Sequence, residues 1–243
     1  MDIQQLEEYK MKHTLPEEKA QDGRALAIKE EFVAFSRLMA YYRCAMMEVE
    51  TKFKVIDQDF SWQYERNPIE NIKTRLKKPS SIQDKLKRYN KPFTVQSIEE
   101  NLHDVAGVRV VCSFIDDVYK IADTLLKQDD VVLIRRKDYI AHPKENGYRS
   151  LHLIVSIPIF LTNEKKMMTV EIQLRTIAMN FWASLEHQLR YKKDNIFTAE
   201  MAQDLNQCAE VSAQLDDMMN GLCTRIYDCN VLNEHGSTHP VVE

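Results

Sequence analysis

Residues 144–192, KENGYRSLHLIVSIPIFLTNEKKMMTVEIQLRTIAMNFWASLEHQLRYK, decide the fold. They divide into three parts. A polar loop ends in the tetrapeptide GYRS at residues 147–150, two strands are predicted over residues 152–157 and 168–174, and a helix is predicted over residues 177–191. The rest of the chain is interpreted by how it can pack against these two strands and this helix.

The second of these strands alternates between apolar and polar residues. Alternate side chains of a strand point to opposite faces, so Val170, Ile172 and Leu174 predict a face that packs into a core. The opposite face carries polar side chains from both strands: His152, Thr169, Glu171, Gln173 and Arg175. This polar face is either the solvated outer side of an antiparallel sheet or the wall of a site, and this stretch alone leaves both interpretations open.

The helix of residues 177–191 is predicted to lie on the apolar face of the two strands. Its apolar residues recur at helical spacing: Ala178, Phe181, Trp182, Leu185 and Leu189. A stripe with this spacing marks the face of a helix that is buried against another element. The apolar face of the strands is the nearest such surface in the sequence.

A second polar cluster surrounds the predicted start of a helix near residue 80. Arg75 and Lys77 lie two residues apart in an extended segment, so their side chains point the same way, and Ser80 or Ser81 is predicted to cap the helix. One helix face then carries polar residues at positions i, i+4 and i+7: Ser81, Lys85 and Arg88. The cluster is either a solvated surface or a site for an anion at a helix N-terminus.

Two carboxylates lie in or beside predicted strands that also carry basic residues. Asp104 precedes a strand within residues 102–114, in which Arg109 points away from the core, and Glu171 lies on the polar face described above. If the two strands are neighbours, the carboxylates can share Mg²⁺, which takes the rest of its coordination shell from water and substrate phosphates. A metal hydrolase built on His103 and Asp104 is disfavoured, because no further set of His and Asp ligands is found.

Composition and motifs together favour metal-assisted phosphoryl or nucleotidyl transfer. The chain has only 5 glycines and no Gly-rich phosphate loop, so Lys and Arg side chains must neutralise any bound phosphate. The basic cluster near residue 80 would hold one polyphosphate. The loop before the first strand could hold a second nucleotide through Lys144, Tyr148, Arg149 and His152, with the tyrosine as a stacking platform. Positioning and charge neutralisation would supply most of the catalysis.

Bulk properties exclude several classes of protein. The net charge of −4 argues against a surface that coats nucleic acid, no apolar run reaches membrane-spanning length, and the N-terminus lacks the apolar core of a signal peptide. Cys112 and Cys208 occupy apolar-pattern positions and are interpreted as buried free thiols in a reducing compartment. We therefore expect a cytoplasmic protein without a membrane partner.

Long helices are predicted on both sides of the central part. Phe32 to Ile56 form a heptad seam within a helix of residues 25–56, and Met201 to Leu222 form a stripe within a helix of residues 198–231. Each stripe is either core or an oligomer interface. The predicted organisation is a flexible arm (1–24), a helical region (25–66), a catalytic core (67–195), a C-terminal helix (196–232) and a disordered tail (233–243).

Four segments resemble the RelA/SpoT homologue family, and more narrowly its stand-alone small alarmone synthetases: RLKKPSSIQDKLKR, HDVAGVRVVCSF, KDYIAHPKENGYRSLHLIV and VEIQLRTIAMNFWASLEH. The resemblance implies an α+β fold with a nucleotidyltransferase-like mixed sheet, flanking helices and long terminal helices. It also implies transfer of the β,γ-pyrophosphate of ATP to the 3′-hydroxyl of GTP or GDP, which yields pppGpp or ppGpp and releases AMP.

The resemblance also assigns roles to individual residues. Asp104 and Glu171 would hold Mg²⁺, and Glu171 would help to deprotonate the attacking hydroxyl. Adenine would lie between Arg75 and Arg109. The ATP phosphates would contact Lys77, Ser81, Lys85 and Arg88. The guanine nucleotide would be bound by Tyr148, stacked on the base, by Asn180 at its edge, and by Lys137, Lys144, Arg149, His152 and Gln173.

Small synthetases of this kind are typically tetramers, so the resemblance favours a homo-tetramer built through the two long helices. The chain has no room for the hydrolase domain of the long relatives, and we expect it to synthesise the alarmone without degrading it. Two alternatives remain. One is pyrophosphorylation of another acceptor, an adenine nucleotide or a tRNA 3′ end, and the other is a non-catalytic RNA-binding regulatory module, although no sequence feature indicates RNA.

Overall fold

The structure is a computed structural model that describes residues 23–64, 66–190 and 197–236. Within these ranges five strands and six helices follow one another along the chain. They are α1 (Gly23–Tyr64), β1 (Ile69–Leu76), α2 (Pro79–Arg88), α3 (Val95–Asn101), β2 (Ala106–Cys112), α4 (Ile115–Leu126), β3 (Val132–Asp138), β4 (Leu151–Phe160), β5 (Lys165–Thr176), α5 (Ile177–Arg190) and α6 (Ala199–Gly236).

The five strands form one mixed sheet in the order β1-β2-β5-β4-β3. β2 and β5 are parallel, and the other neighbouring pairs are antiparallel. The predicted α+β fold with a mixed sheet and flanking helices is confirmed. Gly107 of β2 pairs with Glu171 of β5, so the strand that follows Asp104 and the strand that carries Glu171 are neighbours, as the shared-cation hypothesis requires.

One face of the central strands β2, β5 and β4 is buried, as the alternation predicts, whereas the edge strand β3 is exposed on both faces. Val170, Ile172 and Leu174 of β5 lie in the core, and so do the alternate residues of β4. The long helix α1 packs on this face and inserts Tyr42, Val49 and Phe53 into the same core. Complete burial of each large apolar side chain contributes about 1.5–3 kcal/mol, so the seam of α1 is a core helix.

The predicted position of α5 is only partly correct. Met179 reaches the core of the sheet, but Phe181, Leu185 and Leu189, which were expected to cover the sheet, are exposed. α1 and α4 occupy most of the apolar face, and α5 packs mainly against α6. The contact is made by Trp182, which is buried and donates a hydrogen bond from Nε1 to the carbonyl oxygen of Leu205 at 2.9 Å.

Several element boundaries also differ from the prediction. The helix predicted over residues 25–56 extends from Gly23 to Tyr64, and Trp62 near its end is 82% exposed. Lys78 rather than a serine occupies the N-cap position of α2 and makes no capping hydrogen bond with its side chain, and Pro79 follows at the first position, where proline loses no hydrogen bond. The sequence analysis did not predict α3, which Thr94 caps by accepting a hydrogen bond from the Ser97 amide.

The C-terminal helix and the cysteines require two further corrections. α6 continues to Gly236, beyond the predicted end at residue 232, so the first residues of the expected tail are helical. The remainder of that tail, residues 237–243, and residues 1–22 of the expected arm lie outside the described residues. Cys112 is buried as expected, whereas Cys208 is exposed because its side of α6 faces away from the domain.

The two long helices do not contribute equally to a possible oligomer interface. Met46 and Phe53 of α1 are buried within this chain, so a charge at either position would disrupt the fold itself. On α6, by contrast, Leu215, Met218 and Leu222 are exposed. None of the helices in the described ranges has the length and apolar character needed to span a membrane.

Candidate active site

The polar face of the sheet carries two adjacent rows of functional side chains. In the first row, the strand pairings place Arg75, Gly107 and Glu171 side by side. In the second row they place Lys73, Arg109, Gln173, His152 and Lys137 side by side. Cations therefore flank Glu171 on this face, and the arrangement favours anionic ligands.

Two clefts open on this polar face. The β1/β2 cleft, about 480 Å³ in volume, is lined by Arg75, Lys77, Arg109 and Gln173 among others. The β3/β4 cleft, about 540 Å³ in volume, has walls that include Lys85, Lys137, Tyr139, Lys144 and His152. Asp104 and Glu171 line both clefts, so the two predicted metal-binding carboxylates mark the boundary between them.

Asp104 is held by two lysines from different elements. Lys77 and Lys85 each donate from Nζ to its Oδ2 at 2.7 Å. Burial opposes ionisation of this carboxyl, but the hydrogen bonds and charges of the two lysines outweigh it, and its pKa lies below the ordinary value. Oδ1 is buried and accepts no hydrogen bond from any described residue, so one oxygen of the carboxylate has no protein donor.

Glu171 is oriented by a residue on its own strand and by one on β4. Its Oε2 accepts a hydrogen bond from Gln173 Nε2 at 3.1 Å, and its Oε1 lies 3.6 Å from His152 Nδ1. Burial again opposes ionisation, and the contact with His152 outweighs it, so the pKa of Glu171 lies below its ordinary value. Both carboxylates are therefore ionised at neutral pH.

These two carboxylates fit a magnesium ion better than they fit a fully protein-bound metal. Among the residues that the structure describes, no group of three or more His, Cys, Asp or Glu side chains is arranged to hold a metal. Mg²⁺ needs only one or two carboxylates when water and substrate phosphates complete its shell. The partnerless Oδ1 of Asp104 and the position of Glu171 on both clefts meet that requirement.

Tyr139 and His152 line one end of the β3/β4 cleft, and Tyr148 lies beside them, outside its walls. Tyr148 lies edge-on to both Tyr139 and His152, and its hydroxyl is 2.9 Å from His152 Nε2. The Lys144 ammonium is 4.7 Å from the ring centroid of Tyr139 and 5.0 Å from that of Tyr148. A cation held against aromatic faces in this way is attracted by their quadrupoles, and here it lies beside the cleft, where it can meet a phosphate.

The loop that carries Tyr148 rests on the C-terminal helix. Gly147 has φ +82°, and a Cβ at this position would lie 2.4 Å from the Cβ of Ala209 and 2.8 Å from Oδ1 of Asn206. Tyr148 also packs on a small apolar cluster of α5 and α6 that contains Trp182. The position of the predicted guanine platform therefore depends on α6.

The structure does not bring all of the predicted site residues together. Ser81 and Arg88 lie on α2 outside the walls of both clefts, and so does Asn180 on α5, whose Oδ1 is buried without a hydrogen bond from the described part of the chain. Arg149 lines a small cavity between the loop and α6, near Asp216. Lys85 lines the β3/β4 cleft, although the resemblance groups it with the ATP ligands.

Sequence reasoning assigned no role to Arg175. The alternation of β5 placed it on the polar face, but only the structure shows that it is buried against Tyr148, Gln173 and Ser150. Its charge also acts on Arg109: burial and then the positive charge of Arg175 lower the pKa of Arg109. The signal available in the sequence was its place on the same strand face as Glu171 and Gln173.

Comparison with known proteins agrees with this geometry. The family described as "Region found in RelA / SpoT proteins" matches residues 74–196. GTP pyrophosphokinase YwaC of Bacillus subtilis is 44% identical over 181 residues, which are 74% of this chain and 86% of that protein. The crystal structure of small alarmone synthetase 2 from Bacillus subtilis has 41% identity and a TM-score of 0.71, covering 79% of this chain and 98% of that one.

A further solved structure is small alarmone synthetase 1 from Bacillus subtilis bound to its product pppGpp. It has 35% identity and a TM-score of 0.72, covering 79% of this chain and 97% of that one. The matched family region includes both carboxylates and most residues of the two clefts, from Thr74 onward. The chain belongs to the RelA/SpoT family.

Proposed function

We propose that the protein is a (p)ppGpp synthetase that transfers the β,γ-pyrophosphate of ATP to the 3′-hydroxyl of GTP or GDP. The observation that carries the proposal is the pair of clefts that share Asp104 and Glu171. Transfer between two nucleotides needs both bound side by side with the reacting groups aligned. The relative named GTP pyrophosphokinase and the pppGpp-bound structure support the identity of the substrates.

The β1/β2 cleft is proposed to bind ATP. Arg75 and Arg109 lie on neighbouring strands at its wall, and guanidinium planes stack on bases. Burial lowers the pKa of Arg109, but an arginine stays charged at neutral pH, so it remains attractive to the nucleotide. Lys77, at the Asp104 end of this cleft, is positioned for the phosphates.

The β3/β4 cleft is proposed to bind the guanine nucleotide. Tyr148 offers a ring for stacking, while Lys144 and His152 face the cleft and can bind phosphate or ribose oxygens. The acceptor hydroxyl then lies near the boundary of the clefts, where its oxygen attacks the β-phosphorus of ATP and AMP leaves. Glu171 and His152 are the protein groups that can orient this hydroxyl and receive its proton.

The lowered pKa of Glu171 indicates which of its proposed roles, metal binding or proton abstraction, contributes more. A carboxylate whose pKa is lowered is a weaker base, so charge stabilisation and metal binding account for more of its expected effect than proton abstraction does. Mg²⁺, held by Asp104 and Glu171, would neutralise charge on the transferring phosphates. Before nucleotide binds, Lys77 and Lys85 neutralise Asp104 instead.

The reaction itself is tested by incubating the purified protein with Mg²⁺, ATP and one acceptor at a time, followed by separation of the nucleotides. We expect AMP and a 3′-pyrophosphorylated product with GTP and with GDP. Product formed only with an adenine nucleotide or with tRNA would replace the guanine assignment. No product with any acceptor would contradict the proposal and favour the non-catalytic alternative.

The two clefts predict opposite effects for two substitutions. Arg109→Ala should raise KM for ATP and leave KM for GTP nearly unchanged, and Tyr148→Ala should do the reverse. Loss of an aromatic stacking partner costs about 1–3 kcal/mol per base, or about 5- to 150-fold in KM. Steady-state kinetics with each substrate varied in turn measures both constants. Equal effects on both substrates in either variant would show that the clefts are assigned wrongly.

Lys85→Ala tests, by the same kinetic measurements, a residue at the boundary between the two clefts. The resemblance groups Lys85 with the ATP ligands, but Lys85 contacts Asp104 and lines the β3/β4 cleft. We therefore expect both KM values to rise in this variant.

We also propose that the protein is a homo-tetramer, built through exposed apolar residues of α5 and α6, and that it acts in the cytoplasm, where ATP and GTP are available. The exposed residues on these helices include Phe181, Leu185, Leu215, Met218 and Leu222. Apolar patches of this kind typically mark interaction surfaces, and closed symmetric assemblies are common among soluble oligomers.

A charge in the middle of this surface should dissociate the oligomer. Leu215→Glu is expected to reduce the mass measured by light scattering, because an unpaired carboxylate would be buried at the interface. Gln203→Glu is the matched control, since Gln203 is exposed on the polar side of the same helix and should tolerate the charge. A wild-type protein of monomer mass at micromolar concentration would contradict the tetramer.

A further inference from the structure

Arg175 is a buried cation for which the described residues provide no carboxylate partner. It is 4% exposed and lies on the polar face of β5, and it takes part in none of the ion pairs found in the described ranges. Burying a charge without a counter-charge is costly unless hydrogen bonds compensate. Its partners therefore indicate what the residue does.

Each partner of Arg175 is a neutral acceptor. Nη2 donates to the hydroxyl of Tyr148 and, at 2.8 Å, to Oε1 of Gln173, while Nε lies 3.4 Å from Oγ of Ser150. The guanidinium carbon is also 5.1 Å from the centroid of the Tyr148 ring. Gln173 lines the β1/β2 cleft, and Tyr148 contacts His152 in the wall of the β3/β4 cleft.

The first branch from Arg175 runs through Gln173 to Glu171. Because a guanidinium only donates hydrogen bonds, the side-chain atom of Gln173 that faces it must be the carbonyl oxygen. The amide nitrogen of Gln173 then faces Glu171 and donates to Oε2 at 3.1 Å. Arg175 thus determines which end of the Gln173 amide meets the carboxylate.

The second branch runs through Tyr148 and His152 to the same carboxylate. The Tyr148 oxygen accepts from Arg175, so its own hydrogen is free to point at His152 Nε2, 2.9 Å away. A neutral His152 in this hydrogen bond accepts at Nε2 and carries its ring proton on Nδ1. That nitrogen faces Oε1 of Glu171 at 3.6 Å, so the two branches from Arg175 end on the two oxygens of Glu171.

We infer that Arg175 is a positioning residue in the ring Arg175–Tyr148–His152–Glu171–Gln173: as an obligate donor opposite the acceptor-only carboxylate of Glu171, it sets the direction of the hydrogen bonds made by Gln173 and Tyr148, and so orients both Glu171 and Tyr148. The inference rests on the proposed function for its kinetic consequences only. The hydrogen-bond polarity of the ring follows from the geometry alone. No other residue in the ring is restricted to donating.

The kinetic test compares Arg175→Met and Arg175→Lys with the wild-type protein. Loss of a group that orients a ligand-binding side chain typically reduces activity by about 10- to 100-fold, and we expect a decrease of this size in kcat with a rise in KM for GTP. KM for ATP should change less than KM for GTP. Lysine keeps the charge but not the planar fork, so it should restore less than half of the loss in kcat on a logarithmic scale.

A matched control separates positioning from general loss of packing. Arg66 makes a two-nitrogen contact with the buried Asp117, at 2.8 and 2.6 Å, away from both clefts. Arg66→Lys makes the same chemical change at a partly buried arginine, and it should lower the melting temperature without raising KM for GTP. If Arg66→Lys and Arg175→Lys change the kinetics alike, the effect is structural and the inference fails.

A double-mutant comparison tests the tyrosine branch. Tyr148→Phe keeps the ring and removes the hydroxyl, so in that background Arg175→Met should have a smaller effect on KM for GTP than it has alone. Fully additive effects would overturn the branch through Tyr148.

Nitrogen-15 NMR of histidine-labelled protein reports the tautomer of His152 without requiring turnover. At pH about 8, where an ordinary imidazole is neutral, we expect His152 to carry its proton on Nδ1 in the wild-type protein, and we expect a mixture of tautomers in Arg175→Met, which has no donor. His152→Asn assigns the signal. A tautomer that is unchanged in Arg175→Met would refute the inference, and the result stands even if the protein produced no (p)ppGpp.

Discussion

Glu171→Gln lowers the rate of alarmone synthesis by about 10²- to 10³-fold or more, the loss expected when a preorganised charge-stabilising group is removed. Gln keeps the size of the side chain and can still contact Gln173 and His152, but it has no negative charge to offer a divalent cation. The same reasoning predicts a loss of this size for Asp104→Asn. Single-turnover assays with saturating ATP and GTP measure the chemical step in each variant.

The carboxylate variants need a control for stability. Asp123→Asn removes a largely exposed carboxylate that lies outside both clefts. Its contact with Arg136 is long, at 3.5 Å, and exposed ion pairs of this kind contribute little to stability. It should have wild-type rates. Near-wild-type turnover in Glu171→Gln or Asp104→Asn, with the fold intact by circular dichroism, would refute the assignment of the two carboxylates.

Gly147→Ala destabilises the protein and weakens binding of the guanine nucleotide. A left-handed backbone costs a residue with a Cβ about 1–2 kcal/mol, and an overpacked contact costs about 1–3 kcal/mol. Both apply here, because Gly147 has φ +82° and the new Cβ would lie 2.4 Å from the Cβ of Ala209. We expect a loss of about 2–5 kcal/mol in the free energy of unfolding and a raised KM for GTP.

Two further variants make this prediction specific. Adding Ala209→Gly to Gly147→Ala removes the contact between the two Cβ atoms but neither the backbone strain nor the close approach to Asn206 Oδ1, so it should recover only part of the lost stability. Gly221→Ala is the control in α6, where a new Cβ meets open space. Because alanine favours a helix more than glycine does, it should stabilise the protein by about 0.5–1 kcal/mol. Chemical denaturation measures all three, and wild-type stability of Gly147→Ala would show that the loop does not rest on α6.

Local patterns were sufficient to predict the sheet faces. The alternation of β5 put Val170, Ile172 and Leu174 in the core and Glu171, Gln173 and Arg175 on the opposite face, because strand geometry alone determines which side chains share a face. The sequence could predict that Asp104 and Glu171 lie together only if their strands are neighbours, because the order of strands in a sheet cannot be read from either strand by itself.

The errors concern contacts between distant elements. The stripe on α5 predicts a buried face but not which surface buries it, and α1 and α4 had already covered the sheet. The resemblance placed Lys85 with the ATP ligands; the orientation of α2 brings it to Asp104 and to the wall of the β3/β4 cleft, and its assignment stays a prediction. The role of Arg175 depends on Tyr148 from a loop and Gln173 from its own strand, a combination that no periodicity reveals.

The parallel pairing of β2 with β5 has a consequence for the order in which the protein folds. β4 and β5 are joined by a short turn and can form early, whereas β2 meets β5 only after a helix and two further strands have been accommodated. Contacts between segments distant in sequence require a loop to close and form slowly. Because Glu171 lines both clefts, neither nucleotide site is complete until that closure occurs. Nucleotide should therefore bind only to chains that have completed the sheet, and it should stabilise the last step of folding without accelerating the earlier ones.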